Sequence, residues 1–196
     1  MRKKTFLNLY SDQRTKIIES ALKEFAEHDY NAASLNNIIA GLDVTKGSFY
    51  RYFEGKNDLY DFLVEYVTSK KFNYINEALN IKFGDFFEQF RCIITSYLKF
   101  DLTFPVYGRF LFNAKYFNNV SKSTANLYKM KSLLKKVISE ALETGSLNSM
   151  FYLEFIYICI IKLAEGLETY ISKLNSADGE KVISIRYRMP EFKRFL

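Results

Sequence analysis

Helix-breaking residues are scarce in this chain, which contains two prolines, Pro105 and Pro190, among its 196 residues. Proline removes a backbone hydrogen-bond donor and disrupts a helix interior, so long stretches without it can remain helical. Apolar residues recur three and four positions apart along these stretches, and the alternation of polar and apolar residues typical of strands is not evident. The pattern therefore predicts an all-α fold.

Apolar stripes mark two helices near the N-terminus, one beginning near Ser11 and the next beginning after Ser34. Serine is favoured at a helix N-terminus because its hydroxyl accepts a hydrogen bond from a free backbone N–H. The first stripe consists of Ile17, Ile18, Ala21, Leu22, Phe25 and Ala26, and the second of Leu35, Ile38, Ile39 and Leu42.

A turn containing Asp43 separates the second stripe from a third helical segment, which begins near Thr45. Two short helices joined by a tight turn form a helix-turn-helix, and the longer first helix can cover the pair. We expect a left-handed backbone at Asp43, a conformation that Asp tolerates better than most residues other than glycine.

The third segment has the side chains that a helix in a DNA major groove requires. Thr45 suits the N-cap, while Phe49 and Phe53, four residues apart, are expected to be buried together with Val44. The other side would then present Lys46, Ser48, Tyr50, Arg51 and Tyr52. Lysine and serine can bind base edges, and tyrosine hydroxyls and the charge of Lys56 suit phosphate oxygens. An ordinary surface helix is the alternative interpretation.

From about residue 13 to residue 67 the sequence resembles the TetR family of bacterial transcriptional regulators. The resemblance is carried by the apolar first helix through Phe25, then by Tyr30, Ser34, Ile38, residues 44–50, Tyr52, Phe53 and residues 56–59. It implies that Thr45, Lys46 and Ser48 lie nearest the bases and that Ser34, Tyr50, Tyr52 and Lys56 contact the DNA backbone. The predicted DNA-binding set is Ser34, Thr45, Lys46, Gly47, Ser48, Tyr50, Arg51, Tyr52 and Lys56.

Two positions depart from the family pattern. Asp43 stands where the family usually has glycine, and Gly41 stands where it usually has a larger residue. Both changes weaken the local helix or turn geometry slightly. We also expect the acid at Asp43, close to the groove, to lower the affinity for DNA.

The net charge of +6 is compatible with binding to nucleic acid. Part of it lies in Arg2, Lys3 and Lys4, at the start of a basic arm over residues 1–10. Basic arms in other folds reach the DNA backbone or the minor groove. A disordered start that only increases solubility is the equally weighted alternative.

Several classes of site are not expected. Cys92 and Cys159 lie far apart in apolar helical surroundings and are predicted to be buried thiols, without a disulfide. With His28 as the only histidine, the usual zinc and Cys/His catalytic arrangements are not available. We therefore expect no metal, no cofactor and no enzymatic activity.

The longest apolar run, residues 151–164, is interrupted by Glu154 and Lys162, which argues against a membrane span. No secretory leader and no phosphate-binding glycine loop are evident. The expected location is the cytoplasm.

The remainder of the chain is predicted to form a larger helical domain. Helices are expected from residue 57 or 58, over residues 85–100, over a short aromatic segment after the break at 101–105, from 123 to Gly145 and over 150–173, with one more short helix after Gly179. We divide the chain into a helix-turn-helix DNA-binding domain, residues 1–57, and a domain for effector binding and dimerisation, residues 58–196.

The helix that begins near Phe151 is apolar on nearly every side in its first half. Such a helix must be buried on every side, and a second copy of the chain is the simplest partner. The family resemblance implies the same homodimer, which would read two half-sites of a near-palindromic operator. The predicted interface residues are Phe151, Phe155, Ile156, Ile160, Leu167 and Ile171.

Phenylalanine and tyrosine are abundant, with 19 and 15 residues respectively. At helical spacing they most often pack in a core, but the resemblance implies an effector cavity in this domain. The candidate lining consists of Phe62, Tyr66, Phe90, Ile94, Tyr97, Phe104, Tyr107, Phe112, Tyr128, Cys159 and Leu163, with Arg109 and Glu165 as polar groups.

The sequence thus predicts a dimeric DNA-binding transcriptional regulator, and more specifically a repressor that a small apolar or aromatic effector releases. Three alternatives stay open. The first is an architectural or assembly protein with the same DNA-binding head and no small-molecule sensor. The second, an enzyme of the helical class, would need a cluster of acids or nucleophiles. The third is a helical partner-binding module in which the acid at the turn has disabled DNA reading.

Overall fold

The structure, a computed structural model, describes residues 2–42, 44–81, 84–116 and 125–176, and within these ranges all regular secondary structure is helical. The helices are α1 (Arg2–Leu7), α2 (Ser11–Glu27), α3 (Leu35–Ile39), α4 (Lys46–Tyr52), α5 (Lys56–Asn80), α6 (Phe86–Thr103), α7 (Pro105–Tyr116), α8 (Ala125–Glu143) and α9 (Leu153–Ser176). This confirms the all-α prediction.

Most helices lie where the apolar stripes indicate, but α1 is an addition. Its Phe6 is fully buried, with its ring centroid 4.9 Å from that of Phe53 and 5.2 Å from that of Phe62. The disordered start that the sequence left open is therefore wrong for Arg2–Leu7, which form a helix packed through Phe6. Two features named above, the turn residue Asp43 and the short helix after Gly179, lie outside the described residues.

One hydrophobic core joins the helix-turn-helix to the rest of the chain. It includes Phe25 of α2 and Phe49 of α4, and it continues through Tyr60 of α5 to Phe100 of α6 and Phe110 of α7. The ring of Phe110 lies 5.3 Å from that of Tyr60 and 6.3 Å from that of Phe25. The N-terminal helices therefore rest directly on α5 and α7.

A second core fills the far end of the chain. Its buried members include Ile75 and Leu79 of α5, Ile93 of α6, Ile138 of α8 and Ile160 of α9. This core builds the walls of the cavity described below. Among the helices that the structure describes, none combines the length and apolarity that a membrane span requires.

A buried ion pair lies between the two cores. Lys71 of α5 donates from Nζ to both carboxylate oxygens of Asp101 on α6, at 2.9 and 3.0 Å, and both side chains are less than a tenth exposed. Gly108 of α7 packs against the same carboxylate, since a Cβ atom at this position would lie 2.9 Å from Oδ1 of Asp101. Three helices, α5, α6 and α7, therefore meet at this point.

The two thiols differ from the prediction. Cys92 is half-buried and Cys159 is exposed. The prediction of buried thiols is wrong for Cys159 because α9 turns this side of its apolar surface outward rather than into the core.

Candidate nucleic-acid interface and effector cavity

The helix-turn-helix is held by hydrogen bonds at both helix starts. Ser34 Oγ accepts from the backbone N–H of Asn36 at 3.2 Å, and Thr45 Oγ1 accepts from that of Ser48 at 3.2 Å. Both N-caps are as predicted. Among the described residues between the two helices, Gly41 has a left-handed backbone, with φ of +79°, which glycine adopts without strain.

Glu24 ties the first helix of this unit to the second, a role that the apolar stripes did not reveal. Its Oε1 accepts from the backbone N–H of Ser34 at 2.8 Å and from the side-chain amide of Asn37 at 3.1 Å. Nearby, Ser20 Oγ donates to the carbonyl oxygen of Ile38 at 2.7 Å. These bonds fix α3 on α2 and so fix the base on which α4 rests.

The helix α4 separates its apolar and polar sides. Phe49 and Phe53 are at most 1% exposed and Val44 is also buried. The exposed residues form what we call the recognition face: Thr45, Lys46, Gly47, Tyr50 and Arg51, with Ser48 half-buried beside them. Lys46 and Gly47 occupy the first turn, where free backbone N–H groups favour an anion or an electronegative base edge.

Tyr52 corrects the predicted set. It is buried rather than on the DNA side, with its ring centroid 6.1 Å from that of Phe6. Residues 49, 52 and 53 are three and four apart and therefore share one face of a helix. The outward position assigned to Tyr52 ignored this spacing, and the helix α1 that covers the ring was not anticipated.

Lys56 also has a different position from the one predicted. Its Nζ donates to the carbonyl oxygens of Tyr30 at 2.7 Å, Ala33 at 3.0 Å and Asn31 at 3.3 Å, and lies 4.6 Å from the centroid of the Tyr30 ring. An ammonium group has three N–H donors, and the loop between α2 and α3 uses all of them. Lys56 therefore fastens this loop to the start of α5, and its phosphate contact would require these bonds to break.

A polar contact joins α7 to α2, the first helix of the helix-turn-helix unit. Asn113 donates from Nδ2 to the carbonyl oxygens of Phe25 at 3.3 Å and Ala26 at 3.1 Å, near the end of α2. These carbonyls belong to the last turn of α2, where helix carbonyls lack partners within the helix. The next residue after Asn113, Ala114, is buried and lines the cavity described next, whereas Phe112 is half-buried and does not line it.

A cavity of about 500 Å³ lies between α5, α6, α7, α8 and α9. Its wall is mainly apolar, with isoleucines Ile75, Ile93, Ile94, Ile160 and Ile161 and with Val64, Leu111 and Leu134. The polar groups at its surface are Thr68, Lys71, Tyr97, Lys115, Lys131, Tyr157 and Glu165. The volume falls in the range of about 300–1,000 Å³ that is usual for small-molecule sites.

The predicted lining overlaps with this cavity in Ile94, Tyr97 and Glu165. The other candidates lie elsewhere. Phe62, Tyr66 and Tyr107 pack against the first core and Phe90 against the second. Phe104, Arg109, Tyr128, Cys159 and Leu163 are exposed, and Phe112 is half-buried outside the cavity lining. Aromatic content alone did not separate core rings from cavity rings, and isoleucine is the most frequent residue type in the wall.

The helix α9 has an exposed apolar side. Phe155, Ile158, Leu163 and Tyr170 of α9 are each about half exposed or more, as is Phe151 just before the helix begins. Of the predicted interface residues, Phe151 and Phe155 lie on this side, Leu167 and Ile156 are half-buried, Ile160 is buried in the second core and Ile171 has no described side chain. Placing Ile160 at an interface between copies was wrong, because it faces the interior of its own protomer.

The N-terminal segment is similar to known regulators. The sequence profile of the family described as "Bacterial regulatory proteins, tetR family" matches residues 17–62. The transcriptional regulator YuxN of Bacillus subtilis (strain 168) is 42% identical over 66 residues, which span 34% of this chain and 22% of YuxN. The "Probable acrEF/envCD operon repressor" of Escherichia coli (strain K12) is 38% identical over 48 residues, 24% of this chain and 22% of that protein.

These curated relatives are therefore matched over about a fifth of their own length. The fold is shared more widely. A TetR family transcriptional regulator from Chloroflexus aurantiacus J-10-FL superposes with a TM-score of 0.76 at 21% identity, covering 97% of this chain and 91% of that one.

Proposed function

Because this chain belongs to the TetR family, whose members share its helix-turn-helix and its helical fold, we propose that it is a sequence-specific DNA-binding repressor of transcription. The recognition face carries this proposal. It combines an N-capped helix, exposed lysine, tyrosine and arginine side chains, and an apolar side buried by Phe49 and Phe53. A helix of this kind can enter a major groove without losing its own support.

Within the recognition face, Lys46 and Ser48 are the proposed base-reading residues. Lysine can bind guanine acceptors, and a serine hydroxyl can bind a base edge or a phosphate. Thr45, Gly47, Tyr50 and Arg51 are proposed to contact the DNA backbone or neighbouring base edges, with Ser34 at the start of α3. The positions of Tyr52 and Lys56 support structural roles for these two residues instead.

The protein is proposed to act as a homodimer through α9. The exposed apolar side of this helix would be covered by the same side of a second copy, as a two-fold contact requires. Two recognition helices would then read the half-sites of a near-palindromic operator.

The cavity supports a sensor function, in which a largely apolar effector binds and releases the repressor from DNA. Leu111, Ala114 and Lys115 of α7 line the cavity, while Phe110 and Asn113 of the same helix contact α2 and α5. A shift of α5 or α7 on binding would change the spacing of the two recognition helices. Effector and operator would then compete through one coupling free energy, typically about 1–3 kcal/mol. An architectural protein with no sensor has less need of such a cavity.

The proposal is tested by measuring the binding of the full-length protein to DNA from its own upstream region, by fluorescence anisotropy. We expect an affinity that falls steeply as salt increases. Nuclease footprinting on the same DNA should show a protected region with two-fold symmetry. Lys46→Ala and Ser48→Ala should change the preferred sequence, whereas Lys129→Ala on the remote helix α8 should not. If none of these substitutions alters DNA binding, the recognition face is wrongly assigned.

A further inference from the structure

The charges around the cavity are distributed unevenly. One cationic residue of the lining, Lys71, is buried and bonded to both oxygens of Asp101 at 2.9 and 3.0 Å. Its Nζ also lies 3.7 Å from the centroid of the Tyr97 ring. Since the two charges cancel within a buried pair, Lys71 and Asp101 together offer no net charge to a ligand.

The exposed part of the lining carries a surplus of positive charge. We call it the cavity rim and define it by Lys115, Lys131 and Glu165, which all line the cavity, with both lysines exposed. The carboxylate of Glu165 forms two ion pairs: Oε1 lies 3.3 Å from Nζ of Lys115, and Oε2 lies 2.9 Å from Nζ of Lys162. The hydrogen bond from Lys162, and then the charge of Lys115, hold the pKa of Glu165 below its usual value. This carboxylate therefore stays ionised and is shared between lysines, and Lys131 adds a further cation.

Much of the remaining wall is apolar and includes Ile75, Ile93 and Ile160. Such a surface favours alkyl groups or ring carbons, because each buried methylene is transferred out of water favourably. A charged group against this apolar wall would lose its hydration without gaining a partner. A ligand with both kinds of group would therefore have its apolar part inside and its charged part at the rim.

We propose that the cavity binds an anionic amphiphile, with its apolar tail along the isoleucine wall and its anionic head group at the cavity rim beside Lys115 and Lys131. At the rim the head group keeps part of its hydration, so the attraction to the lysines is not offset by full desolvation. This inference rests on the proposed function, since it names the chemical class of the effector and the orientation in which it binds.

The test compares three ligands with the same twelve-carbon tail: dodecanoate, dodecan-1-ol and dodecyltrimethylammonium. Their dissociation constants for the full-length protein are measured by isothermal titration calorimetry below the micelle concentration. Dodecanoate should bind most tightly and the cation most weakly. Equal affinity for the three head groups, or no measurable binding of any, would overturn the proposal.

Matched substitutions then locate the head group. Lys131→Glu at the rim should weaken dodecanoate binding on the order of five- to tenfold and leave dodecan-1-ol almost unaffected. Lys129→Glu makes the same change of net charge on the same helix, at an exposed position away from the cavity lining. It should leave both affinities unchanged. If both glutamate variants weaken dodecanoate equally, the effect is one of overall charge and the rim is not the site.

The role of the buried Lys71–Asp101 pair in ligand binding is tested separately. Replacing the pair as Lys71→Met/Asp101→Leu removes both charges without stranding either one, a change that buried pairs often tolerate. This variant should keep the preference for dodecanoate over dodecan-1-ol. Loss of the preference would place the head group at Lys71 and contradict the proposed orientation. Anisotropy with operator DNA separates this inference from the proposed function. If the protein binds DNA but shows no head-group preference, the ligand class alone is contradicted. If it shows the head-group preference but does not bind DNA, the repressor proposal alone is contradicted.

Discussion

Asn113 on α7 and Ala26 on α2 are joined by a hydrogen bond of 3.1 Å, from Nδ2 to the carbonyl oxygen, although 87 residues separate them in the sequence. The same amide reaches the carbonyl of Phe25 at 3.3 Å. One side chain of α7, a helix that lines the cavity, thus donates to two backbone carbonyls at the C-terminal end of α2, the first helix of the helix-turn-helix unit.

Asn113→Ala is therefore expected to lower the free energy of unfolding by about 1–2 kcal/mol, because it leaves two helix-end carbonyls without this donor. Urea denaturation measures the change. Asn80→Ala is the control, since Asn80 also donates from Nδ2 to a carbonyl oxygen, that of Asn76, but at an exposed site within α5. A loss no larger in Asn113→Ala than in Asn80→Ala would show that the contact between α7 and α2 contributes little.

Lys46 and Lys56 are expected to differ in their effect on DNA binding. Lys46→Ala should weaken binding to the preferred sequence more than to other sequences, as for the loss of a base contact, and should reduce the dependence of log K on log salt by at most about one unit. Lys56→Ala should leave that slope unchanged and instead lower the free energy of unfolding on the order of 2–3 kcal/mol, because a cation bonded to three carbonyls is removed. Anisotropy titrations at several salt concentrations and urea denaturation, performed on both variants, separate the two roles. A reduced salt slope in Lys56→Ala would restore its predicted phosphate contact.

Phe6 is expected to hold α1 against α4 and α5. Phe6→Ala should lower the free energy of unfolding by up to about 3–5 kcal/mol, since a fully buried ring surrounded by Tyr52, Phe53 and Phe62 is lost. Leu7→Ala, in the same helix with a side chain that is 51% exposed, should cost far less. Equal effects of the two substitutions on the urea midpoint would mean that α1 does not depend on this ring.

The stability of the protein is expected to fall at high pH partly because of Tyr107. Burial, followed by the charge of Tyr66 and a hydrogen bond with it, raises the pKa of Tyr107 to about 12 from its ordinary 10.0. Between these values the unfolded chain releases this proton while the folded chain keeps it, so the free energy of unfolding decreases as pH rises from 10 toward 12. Below pH 10 this contribution is constant.

Urea denaturation of Tyr107→Phe across that range should show a shallower decline than the unsubstituted protein. Tyr128→Phe, which replaces a tyrosine that is 64% exposed, should follow the unsubstituted protein. Identical pH profiles for Tyr107→Phe and the unsubstituted protein would contradict a raised pKa at this position.

The comparison of sequence and structure shows where periodicity is informative. The stripe through Ile17, Leu22 and Phe25 and the caps at Ser34 and Thr45 depend on local chemistry, and all are confirmed. Tyr52 was misassigned although its spacing from Phe49 already placed it on the buried face. Local sequence does not specify where a long side chain ends: Lys56 reaches a loop 23 to 26 residues earlier in the chain.

The cavity was harder to predict because its walls come from five separate helices. Whether a ring such as Tyr107 or Tyr97 faces the cavity depends on how the helices rotate against one another, which one helical stripe does not determine. Lys71 and Asp101 were missed for a related reason: each is one charge on its own helix, and only the fold makes them a pair. The exposure of Cys159 and burial of Ile160, adjacent in sequence, likewise depend on the rotation of α9.

Gly108 provides a test of the packing around the buried ion pair. In a helix, alanine is normally favoured over glycine by about 0.5–1 kcal/mol. At this position the added Cβ would lie 2.9 Å from Oδ1 and 3.0 Å from Cβ of Asp101, so that α7 or the carboxylate must shift. Gly108→Ala should therefore lower the thermal midpoint, while Gly47→Ala, whose nearest neighbour is Thr45 Oγ1 at 3.9 Å, should leave it unchanged or raise it. A higher thermal midpoint for Gly108→Ala would show that α7 is not closely packed against the Lys71–Asp101 pair. The pair would then not report on movements of α7.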